Sequence, residues 1–304
     1  MTGDANTAWE WLLERRFHTG EPLGPLTTIR TGGPAKWLLD VREEGELVAA
    51  LRGAGAAGVP VLVMGRGSNL LVDDAGFGGL VIRFGPGFSQ VRAQGDRVYA
   101  QAGASLKKVA FYAADQGLAG LAFAAGIPGS LGGACLMNAG AYNGTMADVV
   151  ESVDCMTPQG ERRTLSAAEA DFSYRHSRMM DEGLIVLGAT MKLLPGSRDA
   201  LYATMAQLQQ MRREKQPLTY PSAGSFFRRP PGYYAGALIE QAGLKGLTVG
   251  RAQVSELHAG FLINLGGATT ADFVALKDEV IRRVLERWGV PLEPEVRIVL
   301  GHGA

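Results

Sequence analysis

Residues 126–144, GIPGSLGGACLMNAGAYNG, constrain this chain more than any other stretch. Six glycines and four alanines or serines fall within nineteen residues around a single proline. With so little side-chain bulk, successive N–H groups can turn into one concavity and hydrogen-bond a phosphate or pyrophosphate, at φ/ψ values that residues bearing a Cβ avoid. The competing reading is a flexible linker. Linkers favour featureless Gly/Ser repeats, whereas this stretch carries Ile127, Leu131, Leu136, Met137 and Tyr142, all able to pack. An ordered anion nest is the favoured reading.

At 304 residues the chain is long enough for two or three domains, each with its own core. Thirty basic and thirty acidic residues cancel, so no global field draws the protein to nucleic acid or to a membrane surface, and an anionic ligand must be met by a local cluster. Small-molecule partners are expected, with neither nucleic acid nor membrane. Cys135 and Cys155 lie too far apart for a CxxC pair and imply no disulfide framework. The opening MTGDANTAWEWLLERR lacks a basic-then-apolar signal pattern, and no apolar run reaches the roughly 18 residues that span a bilayer, so a cytoplasmic location is expected. His18, His176, His258 and His302 show no HxH or HxxxH spacing, and no metal site is expected.

Residues 36–41 read as a strand, 44–57 as a helix with Leu47, Val48 and Leu51 on one face, and 59–64 as a second strand, a βαβ unit. A dinucleotide-binding Rossmann unit needs a glycine turn opening a helix at this point. Here GRGSN, residues 65–69, runs on into further strand at 80–84, and the fingerprint fails in context. That turn still offers backbone donors beside the Ser68 hydroxyl and the Asn69 amide. It is either a second wall for the same phosphates or an ordinary tight turn.

Beyond Gly87, short strands at 97–102, 149–156 and 184–193 alternate with one clear helix, 105–116, capped by Ser105 and ended by Gly117. From residue 197 the texture changes. A long polar helix, 199–215, leads to PLTYPSAGSFFRRPP, then to helices around 235–242 and 271–288 and a closing strand at 296–300. The fold class is α+β with a boundary near Pro195. The expected regions are residues 1–86, 87–196 and 197–295, with 296–304 returning to an earlier one.

Three polar residues sit in unusual company. Ser225, in AGSFF, is either a turn serine or a proton donor held in a tight, partly dry turn; no Ser-His-Asp or GxSxG arrangement makes it a nucleophile. Arg175, in FSYRHS, is either a surface ion-pair residue or a bidentate carboxylate clamp. Glu295, in EPEVRIVL, is either a solvated strand-edge carboxylate or an acid with a raised pKa beside a site.

In order and spacing, TTIRTGGPAKWL from Thr27, VLVMGRGSNLLV from Val61, GLAFAAGIPGSLGGACLMNAGAY from Gly120, FSYRHSR from Phe172, SAGSFFRRP from Ser222, AGALIEQAGLKG from Ala235 and LEPEVRIVL from Leu292 resemble the UDP-N-acetylenolpyruvoylglucosamine reductases. These are NADPH-dependent flavoenzymes of peptidoglycan precursor synthesis. The resemblance spans nearly the whole chain. It implies a two-part FAD-binding region of the vanillyl-alcohol-oxidase (PCMH) type, with the FAD noncovalent, and a C-terminal α+β domain for the sugar nucleotide. A monomer is expected.

The resemblance also implies roles. Gly65, Arg66, Gly67, Ser68, Asn69 and Leu70 would wrap the FAD pyrophosphate together with Gly126, Ile127, Pro128, Gly129 and Ser130, followed by Gly132, Gly133 and Ala134. Asn138, Gly140 and Ala141 would approach the cofactor farther along, and Arg30 would lie at the flavin edge. Cys135 is read as a small buried hydrophobe. NADPH would reduce the flavin and leave, and UDP-N-acetylglucosamine enolpyruvate would then take hydride at its methylene carbon. Arg175 and a protonated Glu295 would stabilise the enolate charge, and Ser225 would deliver the proton. Lys215 and His258 would bind substrate, although either residue is equally readable as merely exposed. Arg229 stands where relatives often have asparagine, either as a second cation for the diphosphate or in a different contact. The chain is too short between Arg178 and Ser222 for the lid loop of the longer form of the enzyme, whose tyrosine covers the substrate; Tyr233, Tyr234 or Phe226 would partly replace it. The alternatives are an FAD-dependent alcohol or hydroxy-acid oxidase of the same fold, which needs a base where Ser225 stands, and a non-enzymatic nucleotide-binding module.

Overall fold

In the computed structural model, which describes residues 3–301, the chain forms two compact units, each assembled from non-contiguous segments. The first takes the chain up to residue 19, residues 37–66 and residues 79–211; the second takes residues 20–36, 67–78 and the chain from 212 onward. His302 and the last residues of the expected closing segment lie outside the described residues.

The first unit opens with helix α1 (Gly3–Arg15), which packs on helix α2 (Glu44–Ala56). A mid-helix glycine costs about 1 kcal/mol against alanine. Gly53 is nevertheless there because a Cβ would stand 2.6 Å from Trp9 Cβ, whose ring meets Phe17 and Trp37 edge-on at 5.1 and 6.1 Å. A four-stranded sheet runs in the order His18–Pro22, Pro34–Val41, Phe77–Phe84, Val61–Met64. The last two strands are parallel, so the two strands of the expected βαβ unit share a sheet with a third strand between them.

A five-stranded antiparallel sheet follows, in the order Arg162–Ser166, Val150–Met156, Ile185–Lys192, Arg97–Gln101, Val91–Gln94. Its two edge strands, RRTLS and VRAQ, carry too few apolar residues to be read from sequence. Helix α3 (Leu106–Asp115) buries Leu106, Val109, Ala110, Ala113 and Ala114. The Ser105 hydroxyl accepts from Lys108 N at 3.1 Å, and Gly117 ends the helix at φ 67°, as expected.

The glycine-rich segment is more structured than a loop. It holds a 3-10 turn (Ala122–Gly126), a short helix α4 (Leu131–Leu136) and a tight hairpin between Gly140–Ala141 and Gly144–Thr145. Paired glycines hide α4 in the sequence, yet they permit its packing: a Cβ on Gly132 would stand 2.8 Å from Ala102 Cβ. After a single turn, α5 (Arg178–Asp181), helix α6 (Arg198–Lys215) leads the chain out of this unit. It docks on α3 through the Tyr202 hydroxyl, 2.9 Å from Asp115, and ring contact with Phe111 at 5.5 Å.

The second unit has its own sheet, in the order Ser222–Ser225, Phe261–Asn264, Ala252–Val254, Thr248–Val249, with helices α7 (Ala235–Gln241) and α8 (Thr270–Trp288). On α8, Phe273, Leu276, Val280 and Val284 recur at helical spacing and are fully buried, each worth about 1.5–3 kcal/mol on transfer from water. The closing strand, Arg297–Val299, lies parallel to Leu70–Val72. Among the described residues, no helix is long and apolar enough to cross a membrane, and no group of three or more His, Cys, Asp or Glu is placed to hold a metal ion.

Candidate active site

Two glycine-rich loops meet in the first unit. A Cβ on Gly65 would fall 2.0 Å from the Ser130 hydroxyl, so only glycine lets the GRGSN turn lie against the GIPGS turn. Gly129, at φ 139°, needs its conformational freedom as well. Ser130 is buried, Gly126, Ile127, Gly129 and Gly132 are half-buried, and Arg66, Pro128 and Gly133 are exposed. The result is a small-residue cradle with backbone donors and no anionic side chain among those loop positions, chemistry that suits a pyrophosphate. Cys135 lies beside it, fully buried with its thiol pKa pushed up by burial, and Cys155 is pushed up to about 12 by the same cause. Neither is poised as a nucleophile.

Arg175 belongs to the same unit. It occupies a two-residue turn closed by Ser173 N to His176 O at 3.1 Å and His176 N to Ser173 O at 3.3 Å, and its φ is 56°. Its guanidinium lies 5.2 Å from the Tyr174 ring centroid and donates to Gly140 O at 3.4 Å. Asn138, in the glycine-rich segment, donates to Ser173 O at 2.9 Å, and the Ser177 hydroxyl donates to Leu136 O at 2.5 Å. Arg175 is thereby held beside Gly140.

The second unit gathers Arg30, Gly67 to Leu70, Ser225 and Glu295. Thr28 N donates to Gly67 O at 3.2 Å, and a Cβ on Gly67 would stand 2.4 Å from Leu26 O. The Thr28 hydroxyl donates to Ser222 O at 2.7 Å, Ser222 N returns a bond to Thr28 O at 3.1 Å, and Asn264 Nδ2 donates to Ile29 O at 3.0 Å. These bonds set the exposed Arg30, at φ 60°, beside the strand that ends in Ser225. At the other end, Asn69 Nδ2 donates to Glu295 O at 3.1 Å, and Glu295 N donates to the carbonyl of Phe226 at 2.8 Å. Ser225 therefore differs from expectation: it ends a strand and is exposed, because Phe226 and Phe227 both turn into the core and leave the preceding hydroxyl outside.

Of the residues expected to bind substrate, Lys215 lies exposed in the last turn of α6. Arg229 is also exposed, its guanidinium 4.4 Å from the Tyr234 ring centroid. His258 is half-buried against Phe261 at 5.0 Å, and burial lowers its pKa. Its Nδ1 accepts from Gly260 N at 3.1 Å, which leaves the proton of the neutral ring on Nε2. Phe226 is fully buried and cannot cover a ligand, whereas Tyr233 and Tyr234 are exposed. Three buried side-chain atoms that escaped the sequence reading have no hydrogen-bond partner among the described residues: Thr31 Oγ1, next to Arg30, Gln216 Oε1 and Arg228 Nε.

Backbone strain marks the same places. Among the described residues, six non-glycine residues have positive φ: Arg30, Asn138, Tyr142, Asn143, Asp171 and Arg175. Arg30 lies in the segment bonded to the Ser222–Ser225 strand, Asn138, Tyr142 and Asn143 lie in the glycine-rich segment, and Asp171 and Arg175 lie in or just before the Arg175 turn. Such conformations cost of order 1–3 kcal/mol each and cluster where function requires them.

A sequence profile described as an FAD binding domain matches residues 35–166, and one described as the UDP-N-acetylenolpyruvoylglucosamine reductase C-terminal domain matches residues 216–299. The UDP-N-acetylenolpyruvoylglucosamine reductase of Agathobacter rectalis is 47% identical over 92% of this chain and 92% of its own. The chain belongs to this reductase family. A second reductase, from Symbiobacterium thermophilum, is 47% identical over 93% of this chain and 92% of its own. The solved reductase from Thermus caldophilus superimposes with a TM-score of 0.80 at 36% identity, covering 93% of this chain and 99% of that one. The α+β class and the FAD-binding region expected from the sequence are those of the reductase fold. Within it, the small-residue loops at Gly65 and at residues 129–130, with no anionic side chain among their positions, have the chemistry that fits the FAD pyrophosphate.

Proposed function

We propose that the protein reduces the enolpyruvyl ether of UDP-N-acetylglucosamine to UDP-N-acetylmuramate in peptidoglycan precursor synthesis, with FAD as cofactor and NADPH as reductant. Family membership supports the reaction. The observation that supports the residue assignment is the backbone bond from Glu295 N to Phe226 O at 2.8 Å, which pairs the main chain of Glu295 with that of the residue after the exposed Ser225, in the bonded network that also carries Arg30.

FAD, when bound, supplies the two-electron carrier that takes hydride from NADPH and passes it to the methylene carbon of the substrate. Gly65, Gly129 and Ser130 shape its pyrophosphate cradle, with Arg66, Gly126, Ile127, Pro128, Gly132, Gly133 and Ala134 around it. Roles in FAD binding are also assigned to Gly67, Ser68, Asn69 and Leu70, to Gly140 and Ala141 of the hairpin, and to Arg30 at the flavin edge. Arg175 and Glu295 stabilise the negative charge that spreads into the substrate carboxylate. The Ser225 hydroxyl delivers a proton to the carbanion carbon, and its exposure lets solvent reprotonate the alkoxide left behind. A serine is a weak acid, so this transfer needs a strongly basic acceptor. Lys215 and Arg229 bind the diphosphate, His258 donates through Nε2–H, and Tyr233 and Tyr234 stand in for the absent lid. We place the enzyme in the cytoplasm as a monomer, with residues 1–86 and 87–196 as the two flavin-binding parts and 197–295 as the substrate part.

Anaerobic stopped-flow spectroscopy separates the two half-reactions. Ser225→Ala is expected to leave flavin reduction by NADPH intact and to slow reoxidation by the enolpyruvyl substrate by about 10²–10⁴-fold. Equal loss in both halves would remove the proton-donor assignment. A wild-type flavin that NADPH bleaches and the substrate cannot reoxidise would remove the substrate and favour the oxidase.

A further inference from the structure

Arg175 is a long side chain on a two-residue turn, and such a turn does not immobilise itself. Tyr174, the other central residue, is 54% exposed. Asn138 anchors the turn from the neighbouring segment. This residue is 6% exposed, sits at φ 44°, and spends both ends of its amide on backbone: Nδ2 donates to Ser173 O at 2.9 Å, and Oδ1 accepts from Ala147 N at 3.0 Å. Ser173 O also accepts from His176 N, the bond that closes the turn. Two residues beyond Asn138, Gly140 O receives the guanidinium of Arg175. The Ser177 hydroxyl moors the far side of the turn to Leu136 O. One short stretch, residues 136–140, thus holds the turn at both ends and receives its arginine. Asparagine suits the position twice over: it tolerates positive φ, and it presents a donor and an acceptor in opposite directions.

We infer that Asn138 is the positioning residue for Arg175, aiming the guanidinium at the substrate carboxylate by fixing the turn from below. This role rests on the proposed catalytic role of Arg175. Asn138→Asp keeps an acceptor for Ala147 N and tolerates φ 44°, but it faces Ser173 O with a carboxylate instead of a donor. Asn138→Gly suits the backbone, removes both bonds, and serves where the aspartate variant does not fold.

The holoenzyme variants are compared for FAD content, for flavin reduction by NADPH, and for reoxidation by UDP-N-acetylglucosamine enolpyruvate. The expected result is normal FAD content and flavin reduction, with reoxidation slowed about ten- to hundredfold, the scale of an ångström-level misplacement. In an Arg175→Ala background, the Asn138 substitution is expected to add less than about twofold, because both act through one group. Loss of FAD or slowed flavin reduction would assign Asn138 to the cofactor cradle and overturn the positioning role. So would unimpaired reoxidation in Asn138→Asp beside an impaired Arg175→Ala. An Arg175→Ala enzyme with normal reoxidation would instead overturn the catalytic reading itself, and the positioning role with it.

Discussion

Gly65 shows how much one missing methyl can decide. Its hypothetical Cβ falls 2.0 Å from the Ser130 hydroxyl, and no rotamer of Ser130 clears it fully because Ser130 Cβ is itself 2.9 Å away. Gly65→Ala is expected to force the two loops apart and weaken FAD binding at least about tenfold, a loss of about 1.4 kcal/mol, with the circular dichroism spectrum unchanged. Fluorescence titration of the apoprotein with FAD measures this. Gly65→Ala with Ser130→Gly, which vacates the contact, is expected to recover most of the loss; failure to recover would show that Gly65 is needed for its own backbone and not for the approach. At this scale the sequence was informative about which positions tolerate no side chain. It was silent about exposure. Ser225 and Phe226 are adjacent, yet one faces solvent and the other is sealed in the core, and only the packing of Phe226 and Phe227 distinguishes them.

Elements with strong periodicity and caps were the ones legible in advance, and α8 shows why. Its capping box pairs the Thr269 hydroxyl with Asp272 N at 3.0 Å and Asp272 Oδ2 with Thr269 N at 3.0 Å. Thr269→Ala is expected to cost about 1 kcal/mol in urea unfolding. Hydrogen bonds from the Thr269 and Arg251 N–H groups hold the Asp272 carboxyl below the usual aspartate range. In the unfolded chain that carboxyl titrates near about 3.9, so its contribution is complete above that pH and disappears as pH falls through the lower folded value. The stability deficit of Asp272→Asn is therefore expected to be full at pH 7 and to shrink below about pH 4; a deficit constant across that window would remove the carboxylate as its cause. The elements that escaped the sequence reading lack such signals. The strands VRAQ and RRTLS are short and mostly polar at exposed sheet edges, and α4 is built on paired glycines that read as loop until Ala102 is seen beneath Gly132.

Across the whole molecule, the second unit draws on three separate pieces of chain. Ile29 and Leu71 are buried in the core that also holds Phe273, and the closing strand Arg297–Val299 pairs with Leu70–Val72. A fragment of residues 212–304 retains its helical sequences but loses those two side chains and the partner of its last strand. It is expected to give a collapsed, poorly dispersed NMR spectrum; a sharp native-like spectrum would show that the borrowed segments are dispensable. The boundary read near Pro195 followed a change of texture along the chain, which cannot reveal that residues 20–36 and 67–78 join a core formed mainly far downstream. By itself the sequence determined what is local: positions that admit no Cβ, helices that announce themselves by period and cap, and the order of motifs shared with the reductase family. Tertiary structure alone decided which of those motifs meet. Asn69 and Glu295 are 226 residues apart and share a hydrogen bond of 3.1 Å. Backbone conformation is set by each residue and its neighbours, whereas a contact of that span depends on the packing of everything between.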